Sequence, residues 1–288
     1  MYLLFDIGGT NIRLGFSHDG ICIDKKETFS RPKDSKEAMG AIRLFCKKSL
    51  ENQPLKTAVG GIAGVLDAKK ETLLVSPNMK EWEGMNVKKA LQKGLKTNVL
   101  LENDADLAGL GEAVYGQGKE QSIVAYLAVG TGVGGTRIVN KTIDKNAWGF
   151  EPGHQIIEIN GKKCLCGGKG HLESYISGGA IERELGKKPY EITDEQFWDE
   201  KAKLLALGLH NTIVYWSPDV VILGGSMMKE IGIPIERVTY HLKKIMKIFP
   251  ELPPIKKAAL EDEAGLWGGL AYTNQKLKAK SYERLSFL

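Results

Sequence analysis

The chain has 288 residues, 42% of them hydrophobic, enough to fill the cores of two domains of ordinary size. No apolar run approaches the roughly 20 residues of a membrane span, and the first residues pass straight into a strand pattern without a signal peptide, so the cytoplasm is the expected compartment. Forty Lys and Arg against 35 Asp and Glu leave a formal charge of +5 with no basic block, which speaks against a nucleic-acid partner, and four cysteines are too few for a disulfide scaffold.

Residues 2–7 and 12–17 read as strands on either side of Asp6-Ile7-Gly8-Gly9-Thr10-Asn11. Two glycines at such a bend remove the Cβ atoms that would hold a ligand off the backbone and let N–H groups point outward, as a phosphate cradle requires. An ordinary hairpin, whose glycines serve only the turn, is the competing reading of this stretch alone. Ala38, Ile42 and Phe45 recur at helical spacing and predict a helix over 36–52. Strands are expected over 56–62 and 97–102, so the first third is α/β.

Glu102-Asn103-Asp104 follows the apolar Val99-Leu100-Leu101, which places polar side chains at a strand end where a cleft belongs. A carboxylate there can accept a proton from a hydroxyl under attack. Asp104 and Asp106 both qualify, with Asp106 also placed to cap a helix beginning near Leu107.

Residues 123–139 repeat the opening design: an apolar strand, the Gly130-Thr131-Gly132 turn, and a β-branched return strand. The repetition suggests an internal duplication. Gly130, Gly132 and Gly135 match G-x-G-x-x-G, yet Thr136-Arg137-Ile138-Val139 continues as a strand, whereas a dinucleotide fingerprint must open a helix. Further on, Thr193 is expected to cap a long helix carrying Leu204, Leu205 and Leu209. Val220-Val221-Ile222-Leu223 then ends on Gly224-Gly225 before an expected helix, a junction suited to close approach by a nucleotide.

Taken in order, Asp6-Ile7-Gly8-Gly9-Thr10, Gly61-Ile62-Ala63-Gly64, Glu102-Asn103-Asp104-Ala105-Asp106, residues 127–135, Glu151-Pro152-Gly153-His154, the Cys164–Glu173 cluster and Leu223-Gly224-Gly225 resemble the ROK family over nearly the whole chain. That family lies within the actin-like, Hsp70-like, sugar-kinase fold group. The resemblance implies an α/β, two-domain actin-like ATPase (ribonuclease H-like) fold, closing around a sugar and ATP in an interdomain cleft. Residues 1–107 with a C-terminal helix over about 273–288 would form the smaller domain, and residues 108–272 the larger. Asp6 would face Mg²⁺. Gly8, Gly9, Thr10 and Asn11 would grip the phosphates, with Gly130, Thr131 and Gly132 opposite, and Gly224 and Gly225 would approach the adenosine. Asp104 would be the general base. Asn103, Glu151, His154 and Glu173 would bind sugar hydroxyls, with Gly64 lining the pocket by its backbone.

His154, Cys164, Cys166 and His171 would hold a structural Zn²⁺. This chain departs from the family pattern at His171, where a third cysteine is usual; imidazole is an equally good zinc ligand. The activity implied is ATP-dependent phosphorylation of a hexose, glucose at its 6-hydroxyl first, with an N-acetylhexosamine (N-acetylmannosamine or N-acetylglucosamine) as the alternative acceptor. A homodimer is the expected assembly. The family also contains sugar-responsive repressors with an N-terminal helix-turn-helix, and here Asp6 comes too early in the sequence to leave room for one. An inactive sugar-binding protein of the same fold is disfavoured by the two phosphate turns together with Asp104.

Overall fold

A computed structural model describes residues 1–50 and 53–285. The chain divides into two compact units, 1–114 with 263–288, and 115–262.

In the first unit β1 (Tyr2–Ile7) and β2 (Asn11–Ser17) form the expected hairpin, and β3 (Lys25–Ser30) extends it antiparallel at the edge. The edge strand is mostly polar and exposed, Phe29 alone packing toward the core, so no alternation marks it in the sequence. Helix α1 (Ser35–Ser49) starts at Asp34, whose carboxylate accepts from Lys36 N, and buries Ala38, Ile42, Phe45 and Cys46. Phe45 stacks on Phe16 of β2, their ring centroids 5.2 Å apart. The expected end of this helix, Asn52, lies outside the described residues. Strand β4 (Thr57–Ile62) pairs parallel with β1; a short hairpin, β5 (Val65–Leu66) and β6 (Leu73–Val75), and helix α2 (Val87–Leu95) follow before β7 (Asn98–Asn103) pairs parallel with β4. The strand order is β3-β2-β1-β4-β7.

Helix α3 (Asp104–Val114) grows directly from β7 and packs along the C-terminal helix, Ala264–Leu285. Leu266 and Leu270 of that helix bury against Leu4 and Val59 of the sheet. This packing puts the boundaries at 114/115 and 262/263, where the sequence placed them at 107/108 and 272/273. All of α3 and the first turns of the C-terminal helix cover one face of the first sheet; residues 286–288 lie outside the described residues.

The second unit repeats the plan. Strands β8 (Ile123–Val129) and β9 (Val133–Val139) form the hairpin, and β10 (Thr142–Ile143) adds an antiparallel edge. After α4 (Glu173–Ile176), α5 (Gly178–Leu185) and the long α6 (Glu195–Trp216), strand β11 (Val220–Gly224) pairs parallel with β8. Helix α7 (Ile235–Ile245) leads to β12 (Ile255–Lys257), parallel to β11. The order β10-β9-β8-β11-β12 matches the first sheet strand for strand and in polarity, the pattern that a duplication of one βββαβαβ-type unit leaves.

Two expectations are corrected here. Asp194, not Thr193, caps α6, accepting from Gln196 N at 2.9 Å. The Gly224-Gly225 junction opens a single 3₁₀ turn, Ser226–Met228, rather than a helix; α7 begins only at Ile235. Among the described residues no helix is long and apolar enough to cross a membrane.

Candidate active site and metal centre

In the first unit the 8–11 turn closes through Gly8 N–H donating to Asn11 O at 2.9 Å. Asp6, near the end of β1, pairs with Arg13 of β2, Oδ2 to Nη1 at 3.3 Å. Its carboxyl group also abuts Gly265, in the first turn of the C-terminal helix, where a Cβ would come 3.0 Å from Asp6 Cγ.

Asp104 sits at the first position of α3, at the C-terminal end of the parallel strand β7. Its Oδ1 accepts from Ala105 N at 2.9 Å. Burial, then the charge of Asp6 and more weakly that of Asp106, push its pKa up to about 7. A carboxylate so tuned is ionised for half its population near neutrality and becomes a stronger base than an exposed aspartate.

Asn103, not Asp106, caps α3: its Oδ1 accepts from Ala105 N and Asp106 N at 2.8 and 3.1 Å, while its amide donates to Gly64 O at 3.0 Å. One amide hydrogen is left for a ligand hydroxyl. Asp106 is 1% exposed and lies inside the helix, so the expectation that it caps a helix starting near Leu107 is overturned. The cap lies three residues earlier because the strand runs into the helix without a linker.

In the second unit the carbonyls of Gly130 and Thr131 accept from Gly178 N and Gly179 N, at 2.8 and 3.1 Å, at the start of α5. Pinning these carbonyls turns the amides of Thr131 and Gly132 the opposite way across their trans peptide planes. Glu173, buried, accepts from Val133 N at 2.7 Å through Oε2, so it is fixed to the same turn. Glu151 precedes and His154 ends a 3₁₀ turn, with His154 Nε2 3.8 Å from Glu151 Oε2.

Gly224 and Gly225 have packing roles. A Cβ on Gly224 would lie 2.5 Å from the Tyr126 hydroxyl, and Gly225 has φ +91° against the backbone of Val129. The α5 glycines and Ser177, which caps α5 by accepting from Ala180 N, were missed in the sequence; a serine followed by two glycines ahead of an apolar helical run was the available signal.

The four expected metal ligands converge. One ligand atom from each of His154, Cys164, Cys166 and His171 lies within 4.8 Å of the others. The two Nδ1 atoms are 3.3 Å apart, Cys166 Sγ is 3.3 Å from His171 Nδ1, and Cys164 Sγ is 3.9 Å from His154 Nδ1. A tetrahedral Zn²⁺ with its usual bond lengths sets an N···N edge of about 3.3 Å and an S···N edge of about 3.5 Å. The donor set therefore fits zinc. Burial and the charge of His154 hold His171 below the ordinary imidazole range, which favours the neutral, metal-binding form.

Two sheets of identical order, each opening with a glycine hairpin, give the fold of the actin-like ATPases. The ROK family model matches residues 2–276, and the chain belongs to the ROK family. It is 28% identical to a glucokinase of Thermotoga maritima over 94% of this chain and 96% of that one. It is 29% identical to an N-acetyl-D-glucosamine kinase of Escherichia coli over 93% and 97%. A xylose repressor of Bacillus spizizenii matches at 26% identity over 66% of this chain and 53% of the repressor. The fold is also that of a ROK family glucokinase from Streptomyces griseus, solved with glucose and AMPPNP, at a TM-score of 0.83 and 24% identity, covering 95% of this chain and 99% of that one.

Proposed function

We propose that this protein is an ATP-dependent sugar kinase that phosphorylates a hexose, glucose at its 6-hydroxyl first, with Asp104 as the general base. The observation that carries the reading is Asp104 itself: a carboxylate at a strand end, held near a pKa of 7 in the same unit as the 8–11 turn. Asp104 takes the proton of the acceptor hydroxyl as that oxygen attacks the γ-phosphorus. Phosphoryl transfer needs positioned donors and charge stabilisation more than covalent help. The turn amides around Gly8, Gly9, Thr10 and Asn11, and those around Gly130, Thr131 and Gly132, are the phosphate donors. Asp6 takes the Mg²⁺ of the MgATP substrate, and the segment at Gly224 and Gly225 takes the adenosine.

The remaining amide hydrogen of Asn103 and the backbone at Gly64 bind the sugar. In the second unit Glu151, His154 and Glu173 are assigned to sugar hydroxyls. Zinc on the Nδ1 atoms leaves the His154 Nε2 hydrogen as a donor and orders the loop leading to Glu173; it supplies structure and takes no part in the transfer. The relatives named above support both glucose and an N-acetylhexosamine as acceptor, the latter being the alternative substrate.

Coupled ADP release measured with MgATP across glucose, mannose, N-acetylglucosamine and N-acetylmannosamine tests the reading. Turnover of one of these sugars is expected. A protein inert to all of them that instead bound operator-like DNA would be a ROK regulator.

A further inference from the structure

The side chain of Arg31, which follows β3, is engaged on every side. It is 6% exposed, and its guanidinium lies 5.6 Å from the centre of the Trp82 ring. Nε donates to Gly9 O at 3.1 Å, Nη1 to Pro32 O at 3.2 Å and to Glu81 Oε1 at 2.7 Å, and Nη2 to Asn78 O at 3.4 Å. Its backbone N–H donates to Thr10 O at 2.8 Å. One residue thus grips two successive carbonyls of the glycine turn and one of the 76–79 segment.

That segment is itself anchored toward the acceptor side. Ser76 Oγ donates to Ala63 O at 2.9 Å, beside Gly64, whose carbonyl receives the Asn103 amide. Asn78 rests directly on the turn: a Cβ on Gly9 would come 3.0 Å from Asn78 Cβ. A continuous line of contacts therefore runs from Gly9 through Arg31, Asn78, Ser76 and Gly64 to Asn103 and Asp104.

We propose that Arg31 is a positioning residue that holds the phosphate turn and the acceptor segment in register for phosphoryl transfer. This rests on the kinase reading above. Because a trans peptide sets its C=O and N–H on opposite sides, holding Gly9 O and Thr10 O toward Arg31 directs the following amides away from it. The guanidinium fork is needed because three carbonyls and a carboxylate lie around one planar group; an ammonium is a point charge that cannot meet them together. Glu81 balances the charge, so the contribution is geometric.

Full-length wild type and Arg31→Lys are compared with the best sugar of the panel, measuring kcat, KM and Kd for each substrate, melting temperature, and ADP formed per sugar phosphate. We expect kcat to fall about 10- to 100-fold, as a displacement on the order of 1 Å does, with each Kd changed less than about threefold. The ratio of ADP to sugar phosphate rises above one as water competes with a misplaced acceptor. A kcat within about twofold of wild type, or a loss confined to melting temperature with the ratio still at one, overturns the proposal. Should Arg31→Lys not fold, Glu81→Gln, which loosens the guanidinium without touching the glycine turn, is measured in its place, and the same split between kcat and Kd is required. A wild type that turns over no sugar defeats the kinase reading instead, whereas an active wild type with an equally active Arg31→Lys defeats only the role of Arg31.

Discussion

Gly61 and Asp104 touch: a Cβ on Gly61 would lie 2.7 Å from Asp104 Cα and 3.2 Å from its backbone nitrogen. Strand β4 thereby lets the first turn of α3 settle against the sheet and fixes the backbone that aims the Asp104 carboxylate. Gly61→Ala is expected to displace that turn by several tenths of an ångström. Its kcat should drop at least about 10-fold while the fold survives, measurable by steady-state kinetics alongside circular dichroism.

Asp104→Asn should lower kcat about 10²–10⁴-fold while sugar and ATP bind nearly as before. Asn keeps the acceptor for Ala105 N but cannot take the proton. The same variant should be more stable than wild type near neutral pH. The folded pKa of Asp104 is raised to about 7, so its favourable contribution is full below the unfolded value and is lost as pH rises from about 4 through 7. An amide removes that loss, and the gain at pH 8 should be on the order of 4 kcal/mol, seen as a rise in melting temperature. A variant less stable than wild type at pH 8 but not at pH 4 would contradict this account of Asp104.

The pH profile follows from the same value. With an ionised base required, kcat/KM should rise with pH through a limb near 7. Asp106→Asn removes the weaker of the two negative charges that raise Asp104 and should move the limb to lower pH by less than Asp6 contributes. A limb that stays in place would mean Asp106 does not act on the base.

One zinc ion per chain is expected by elemental analysis. His171→Cys should retain it, and His171→Ala should weaken metal affinity more than about 10-fold and lower the melting temperature. Purified protein that is metal-free, fully active and indifferent to a strong chelator would remove zinc from the account.

Much of this molecule is legible along the chain because the relevant interactions are local. The apolar runs at residues 2–5 and 99–101, the glycine hairpins at 8–11 and 130–132, and the ligand loop from Cys164 to His171 each declare themselves within a dozen residues. The repetition of the hairpin anticipated the second sheet. Between the acids at its strand end, Asp104 and Asp106, local composition and spacing made no choice, and only the family resemblance pointed to Asp104. Their difference, one carboxyl tuned near neutrality and the other sealed inside α3, arises from burial against elements far away in the chain. The same holds for the edge strand at Lys25–Ser30, recognisable by its pairing with β2, and for Gly224, whose missing side chain answers to the Tyr126 hydroxyl almost a hundred residues earlier. Arg31 looks like any surface cation until Gly9, Asn78 and Glu81 close around it. Periodicity, turn chemistry and ligand spacing were set by neighbours in sequence; burial, pKa and the seat of a buried guanidinium were decided by neighbours in space.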